Sequence, residues 1–281
     1  MSVRVLIAGL ALCLASLTAC GGAAPTTSGG PAFCRLKVDG AHVALPNGQA
    51  LTLRGVSVPS LTAMEAAGVV AVARVRALAA AGARMIVLAV EDAEITPTFF
   101  PERLAPVLQA ATEEGVIVIL SYQNRVGVAN RGLSNAELDH AEDFINLAMA
   151  YARNAPSVWV DPLQGIDEIP LARRRNVTQR LVDLVRGRGA DNIIVIREPL
   201  WLREGGEPLS GGNVVYALNP GETLDGLPVD RLPFLRISVD APSARETLSV
   251  AAIGAETNAG WVDALRAPVP PNLRQCAATG R

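Results

Sequence analysis

The feature that most restricts this chain is a repeated grammar: eight short apolar runs of strand length, most of them separated by stretches with helical periodicity. The strand-like runs fall at 51–58, 84–90, 116–122, 157–163, 192–196, 213–218, 233–239 and 260–265. The helix-like stretches fall at 64–81, 101–114, 135–153, 171–188 and 244–256. Continuous apolar strands joined by helices imply parallel strands buried on both faces. The expected fold is α/β, a (β/α)₈ TIM barrel, with an open doubly wound sheet as the alternative. Gly55-Val56-Ser57-Val58 follows where a nucleotide-binding sheet would carry Gly-x-Gly-x-x-Gly, which weighs against that alternative. Local signals agree with the helices. Pro101 suits a first helical position, Ser134 with Glu137 makes a capping box, and Gly189 closes 171–188. In a barrel, chemistry belongs to the loops that follow the strands, at the C-terminal face.

A hairpin precedes the repeats. Runs at 35–38 and 42–45 flank Asp39-Gly40, and Asn47-Gly48 makes a second turn. Before it lies a targeting segment. Arg4 is followed by an apolar run, 5–17, too short to span a membrane comfortably. The run ends in Leu17-Thr18-Ala19-Cys20, which resembles the lipobox of bacterial lipoproteins. That resemblance implies a signal peptide at 1–19 and lipidation of Cys20, with two acyl chains giving stable attachment. Residues 20–32, rich in Gly, Pro, Ser and Thr, then form a flexible tether, and 33–281 form the barrel domain. The expected location is extracytoplasmic, lipid-anchored at the cell membrane. There an even pair of cysteines favours a disulfide, and Cys34 and Cys276 are the pair left once Cys13 departs with the signal and Cys20 is lipidated. A net charge of -2 suggests neither nucleic acid nor an acidic membrane surface as a partner.

Several stretches resemble the cellulase-like glycoside hydrolases of family 5. They are Val38-Asp39-Gly40 with Asn47-Gly48 and Leu53-Arg54-Gly55-Val56, then Ala80-Ala81-Gly82-Ala83-Arg84-Met85-Ile86-Val87-Leu88, then Glu114-Gly115-Val116-Ile117-Val118-Ile119-Leu120. The order continues with Tyr151-Ala152-Arg153-Asn154-Ala155-Pro156-Ser157-Val158-Trp159 and with Arg186-Gly187-Arg188-Gly189-Ala190-Asp191-Asn192-Ile193-Ile194. The resemblance covers nearly all of 33–281 and implies a glycosidase scaffold. It breaks at the positions that carry the chemistry. The family's acid/base position falls on Gly165 and its nucleophile position on Ser238. Its strand-two arginine falls on Val87, its strand-three histidine on Gln123, its strand-six histidine on Asn219 and its strand-eight tryptophan on Ala264. The chain's two histidines, His42 and His140, lie in the hairpin and in a helix.

Some acids remain near the expected face: Glu91, Asp92, Asp161, Asp167, Glu168, Glu198 and Asp240. Glu168 with Asp240 is the fallback pair for a relocated acid and nucleophile. Serine nucleophiles at Ser57, Ser121 or Ser238 would need a base in reach, and the histidine placement argues against one. Trp201, Tyr122, Gln123 and Asn219 are the candidate ligand contacts, with Trp201 the best placed to line a cleft. Tyr216 and Trp159 read as core, and Trp261 reads as the start of the last strand. No His/Cys/carboxylate cluster has metal-ligand spacing, so neither metal nor cofactor is expected. The reading that follows is a non-catalytic glycosidase-like lipoprotein that binds a glycan or an envelope protein. An active glycosidase with a rearranged carboxylate pair is the alternative.

Overall fold

The computed structural model of the chain describes residues 33–123, 135–164, 170–219, 222–237, 251–255 and 273–274. All of them belong to one compact unit that begins at Ala32.

Eight parallel strands close on themselves. In chain order they are β4 (Leu53–Val58), β5 (Met85–Glu91), β6 (Ile117–Gln123), β7 (Val158–Asp161), β8 (Ile194–Arg197), β9 (Val214–Leu218), β10 (Phe234–Ile237) and β11 (Ala251–Ala255). β11 completes the ring, pairing with β10 through Leu235↔Ala251 and with β4 through Ala251↔Leu53. Ahead of the ring stands an antiparallel sheet of β1 (Lys37–Asp39), β2 (His42–Ala44) and β3 (Ala50–Leu51). The (β/α)₈ barrel with an N-terminal hairpin, expected from the sequence, is therefore the observed fold.

Side-chain alternation along each strand makes two cores. The outer one lies between strands and helices and includes Val56, Ile86, Leu88, Val90, Val118, Leu120, Val160 and Ile196. The inner one fills the lumen with Leu53, Met85, Val87, Ile117, Ile119, Trp159, Val195, Val215, Ala217 and Leu235. Phe33, Leu36, Val43, Leu45 and Leu51 join this inner core, so the hairpin stoppers the N-terminal end of the barrel. Burying each such side chain contributes about 1.5–3 kcal/mol. With that end filled, the C-terminal mouth is the end of the barrel to search for a site.

Two elements differ from the expectation. The single helix at 64–81 is two helices, α1 (Leu61–Ala66) and α2 (Ala71–Ala80). Gly68, at φ +71°, takes a left-handed turn between them that residues with a Cβ adopt at a cost. Ser60 starts α1 as its N-cap, its Oγ accepting the Ala63 N–H at 3.2 Å. The remaining helices, α3 (Ala105–Glu114), α4 (Asn135–Ala152) and α5 (Leu171–Gly187), lie where the periodicity puts them.

The last strand is the larger correction. The strand that closes the ring lies at Ala251–Ala255, inside the stretch read as a helix, and the stretch 260–265 lies outside the described residues. Ala-Ala-Ile-Gly-Ala is a short apolar run in a parallel ring, and such a run shows no period that separates strand from helix. The match of Ala264 to the family's tryptophan therefore counts from a stretch other than the strand that closes the ring, and Trp261 comes after that strand in the sequence. Both residues lie outside the described ones.

Candidate functional site

The strands that line the lumen end in polar residues. Ile119 and Ser121 share a face of β6, as do Trp159 and Asp161 on β7 and Val195 and Arg197 on β8. Asn219 continues the face of Val215 and Ala217 past the end of β9. An apolar floor thus carries a polar crown at the C-terminal mouth, where barrel enzymes hold their chemistry.

The crown is a connected network. Ser121 Oγ donates to Asp161 Oδ2 at 2.5 Å, and Arg197 Nε donates to the same oxygen at 2.5 Å. Arg197 Nη2 reaches Ser121 Oγ at 3.4 Å, and its Nη1 reaches Asn219 Oδ1 at 3.4 Å. Gln164 Nε2 donates to Ser121 Oγ, and Asn219 Nδ2 donates to Glu198 Oε1. Glu222 Oε2 accepts the Asn219 N–H at 2.7 Å and fixes the turn after β9. Asp161 is fully buried and the Arg197 side chain is 10 % exposed, so this ion pair lies largely out of water. Among the described residues nothing donates to Asp161 Oδ1. Glu198 sits at φ 52°, a left-handed conformation that costs a non-glycine residue about 1–3 kcal/mol and turns the chain sharply after β8.

The structure sorts the sequence candidates unevenly. Asn219 belongs to the crown, and Gln123, the last residue of β6, lies on the lumen face of that strand. Tyr122 lies on the opposite face. It is buried under α4, stacked on Phe144 with ring centroids 5.4 Å apart, and its hydroxyl donates to Asp92 Oδ1. Strand alternation accounts for this correction, because a residue between Ser121 and Gln123 must face outward. Trp201 is also corrected. It is 5 % exposed and packs edge-on to Tyr216 at 6.5 Å, with Gly206 so close that a Cβ there would come within 3.1 Å of its ring. Packing beneath the loop after β8 leaves it no free face for a ligand. Gly165, Glu168, Ser238 and Asp240 lie outside the described residues, as do Cys20 and Cys276. Cys34 is disulfide-bonded.

The apolar run of the fifth strand stops at Ile196 and so leaves out Arg197, the last residue of β8. The signal was available, since a residue two places beyond a lumen residue, Val195, points into the lumen. The neighbouring loop acids have structural work. Glu91 accepts Ser60 Oγ at 2.8 Å, and buried Glu94 accepts the backbone and hydroxyl of Thr62 at 2.8 and 2.7 Å, holding α1 in place. His42 and His140 are both exposed, and His140 stands 3.8 Å from Asp92 on the outer side of the barrel. Among the described residues no group of His, Cys, Asp and Glu is arranged to hold a metal, and no helix is long and apolar enough to cross a membrane. A cleft of about 620 Å³ opens between 202–208 and 226–232, but its lining, including Leu202, Leu227 and Arg231, brings no carboxylate.

No protein-family model and no curated protein sequence matches this chain. Solved structures do. A β-glucanase from Saccharophagus degradans superposes with a TM-score of 0.63 at 14% identity, over 78% of this chain and 76% of that one. The catalytic domain of the Thermobifida fusca endoglucanase Cel5A gives 0.62 at 15%, over 79% and 84%. A β-mannanase from Streptomyces thermolilacinus gives 0.57 at 18%, over 79% and 83%. At these identities the likeness shows the fold, a cellulase-like (β/α)₈ barrel.

Proposed function

We propose that this protein is an exported, lipid-anchored envelope protein whose barrel binds a glycan and does not hydrolyse it. One observation carries the reading: the carboxylate at the end of β7 is committed inside the crown, with Ser121 Oγ and Arg197 Nε both donating to Asp161 Oδ2. Glycosidic cleavage needs a carboxylic acid at the leaving oxygen and a second carboxylate opposite, about 5–5.5 Å away for retention and about 6.5–9.5 Å for inversion. Asp161 is fully buried, so its carboxylate is not presented to a glycosidic oxygen in the mouth. The family resemblance puts Gly165 and Ser238 at the two catalytic positions, and neither supplies a carboxyl group. Polar groups converging above an apolar floor still suit the hydroxyls and ring faces of a saccharide. A carbohydrate ligand is supported by analogy, since the similar structures include a β-glucanase with cellotetraose and a β-mannanase with mannohexaose. The Leu-Thr-Ala-Cys ending and the tether at 20–32 support the anchor.

Two measurements test the reading. The purified protein is titrated with a panel that includes cello- and manno-oligosaccharides, and assayed for turnover on β-glucan, mannan and aryl glycosides. Saturable binding without turnover is expected. Turnover that disappears on substitution of Asp161, Glu168 or Asp240 would establish an active glycosidase, and a blank panel would leave an envelope protein as the partner. Cys20→Ser is expected to move the protein from the membrane fraction to the soluble one, and unchanged fractionation would remove the anchor.

A further inference from the structure

We infer that the N-terminal face of the barrel, the end sealed by the hairpin, docks on anionic lipid headgroups, so that the C-terminal mouth points away from the membrane. The inference rests on the reading of Cys20 as a lipid anchor and adds the face that the anchored domain turns to the bilayer.

The net charge of -2 by itself points away from an acidic membrane surface, but it averages over an uneven distribution. Arg84 immediately precedes β5, Arg153 and Arg188 follow α4 and α5 on the way into β7 and β8, and Arg35 stands just before the hairpin. All four therefore lie at the N-terminal end of the barrel. Arg35, Arg153 and Arg188 are exposed, and Arg84 is half-buried. Among the described residues no carboxylate pairs with any of them. Arg84 donates to the Ala79 and Ala83 carbonyls and Arg188 to Asn146 Oδ1, and these neutral partners leave the positive charge unbalanced. The acids at this end are matched by other cations. Asp39 lies 3.8 Å from Lys37, Glu113 and Glu114 lie 3.4 and 3.9 Å from Arg76, and the charge of Asp191 acts on Arg186. The face thus carries an excess of positive charge, whereas the crown at the opposite end sets Asp161, Glu198 and Glu222 around Arg197. The chain also enters the domain at the basic face, where Phe33 and Leu36 pack in the core under the hairpin. A tether of 20–32 with coil dimensions spans about 20 Å, so an anchor at Cys20 brings this end of the domain to the lipid. Each arginine near an anionic bilayer adds attraction, and its forked N–H groups match headgroup phosphates. An anchored domain has already lost most of the translational freedom that docking costs, so a modest excess of charge suffices.

The test uses the full chain carrying Cys20→Ser, so that no acyl chain contributes. Its vesicles are phosphatidylcholine alone, or phosphatidylcholine and phosphatidylglycerol in about equal parts. Saturable binding to the anionic vesicles only is expected, and about 1 M salt, with a screening length of about 3 Å, should release it. Adding Arg35→Gln with Arg153→Gln should weaken that binding by about ten-fold or more. Both side chains are exposed, so this variant should melt as its parent does. Arg173→Glu changes the net charge by the same amount at the exposed start of α5, on the mouth side, and should leave vesicle binding nearly unchanged. Equal binding to both kinds of vesicle, binding to neither, or the same loss from Arg173→Glu overturns the inference. The two vesicle compositions judge the face without any substitution in it. Unchanged fractionation of Cys20→Ser in cells would overturn the anchor alone, and the vesicle comparison would still judge the face.

Discussion

Tyr216 lies on the outer face of β9, packed against Trp201 and Phe234, and its hydroxyl oxygen accepts the Leu209 N–H at 2.8 Å. Burial pushes its phenol above the ordinary tyrosine range, and the Leu209 hydrogen bond and the charge of Arg175 offset this only in part. A phenol whose pKa is higher in the fold than in the open chain stabilises the fold fully below the unfolded value of about 10. That stabilisation is lost as the pH rises through the folded value. Tyr216→Phe should cost about 1–3 kcal/mol at neutral pH, because it leaves the buried Leu209 N–H without an acceptor. It should also remove the alkaline loss that this phenol causes in the wild type. Urea denaturation at neutral pH and above about pH 10 checks both parts, and an alkaline loss of equal size in both proteins would assign it elsewhere. Single residues also show what the sequence made legible. The apolar runs place Asp161 near a strand end, and the family resemblance places Asn219 at one. Closeness to a strand end suggests Tyr122 as a ligand contact, but strand parity sends it outward, between Ser121 and Gln123 on the lumen face. Trp201 could not be placed by parity, since it lies in a loop whose packing depends on Gly206 and Tyr216, distant from any local pattern.

At the scale of elements, the end of α5 organises the return of the chain to two strands. Arg186 Nε donates to Gly211 O at 2.8 Å, Nη1 to Ala190 O and Asn192 O at 2.7 and 3.0 Å, and Nη2 to Gly212 O at 2.8 Å. Burial draws its pKa down and the charge of Asp191 opposes that shift, so the carbonyl contacts offset a real desolvation cost. A lysine keeps the charge but is a point donor that cannot span four carbonyls. Arg186→Lys should therefore lose at least about 1–3 kcal/mol, the cost of leaving a buried polar group unpaired. Hydrogen exchange should quicken at 190–213 more than in α3, and uniform exchange would show that Arg186 does not hold this corner. Elements with a period or a cap, such as α4 and α5, were legible from the sequence. The last strand was not, because Ala251–Ala255 draws its strand character from the β4 and β10 edges that flank it and from no pattern of its own.

For the whole molecule, closing the barrel brings distant parts of the chain together. The Cys34 N–H donates to Leu273 O at 2.9 Å, and Leu273 joins the core that seals the N-terminal end. Cys34 is disulfide-bonded, and the chain's other cysteines are Cys13, Cys20 and Cys276. Cys276 lies three positions beyond Leu273 in the sequence, whereas Cys13 and Cys20 belong to the segment read as signal and lipid anchor. The pairing expected is therefore Cys34–Cys276, a clasp across the ends of the barrel. It would restrict the open chain over almost the entire domain, and the chain-entropy model puts the stabilisation from so long a loop at up to about 5 kcal/mol. A non-reducing digest should yield the peptides containing Cys34 and Cys276 as one species that separates on reduction. In Cys276→Ser, Cys34 should become a thiol that maleimide labels after unfolding, and the denaturation midpoint should fall to that of the Cys34→Ser/Cys276→Ser double variant. If Cys34 stays blocked in Cys276→Ser, its partner lies in 1–32, and the assignment of Cys13 to a cleaved signal and Cys20 to the lipid would fall with the clasp.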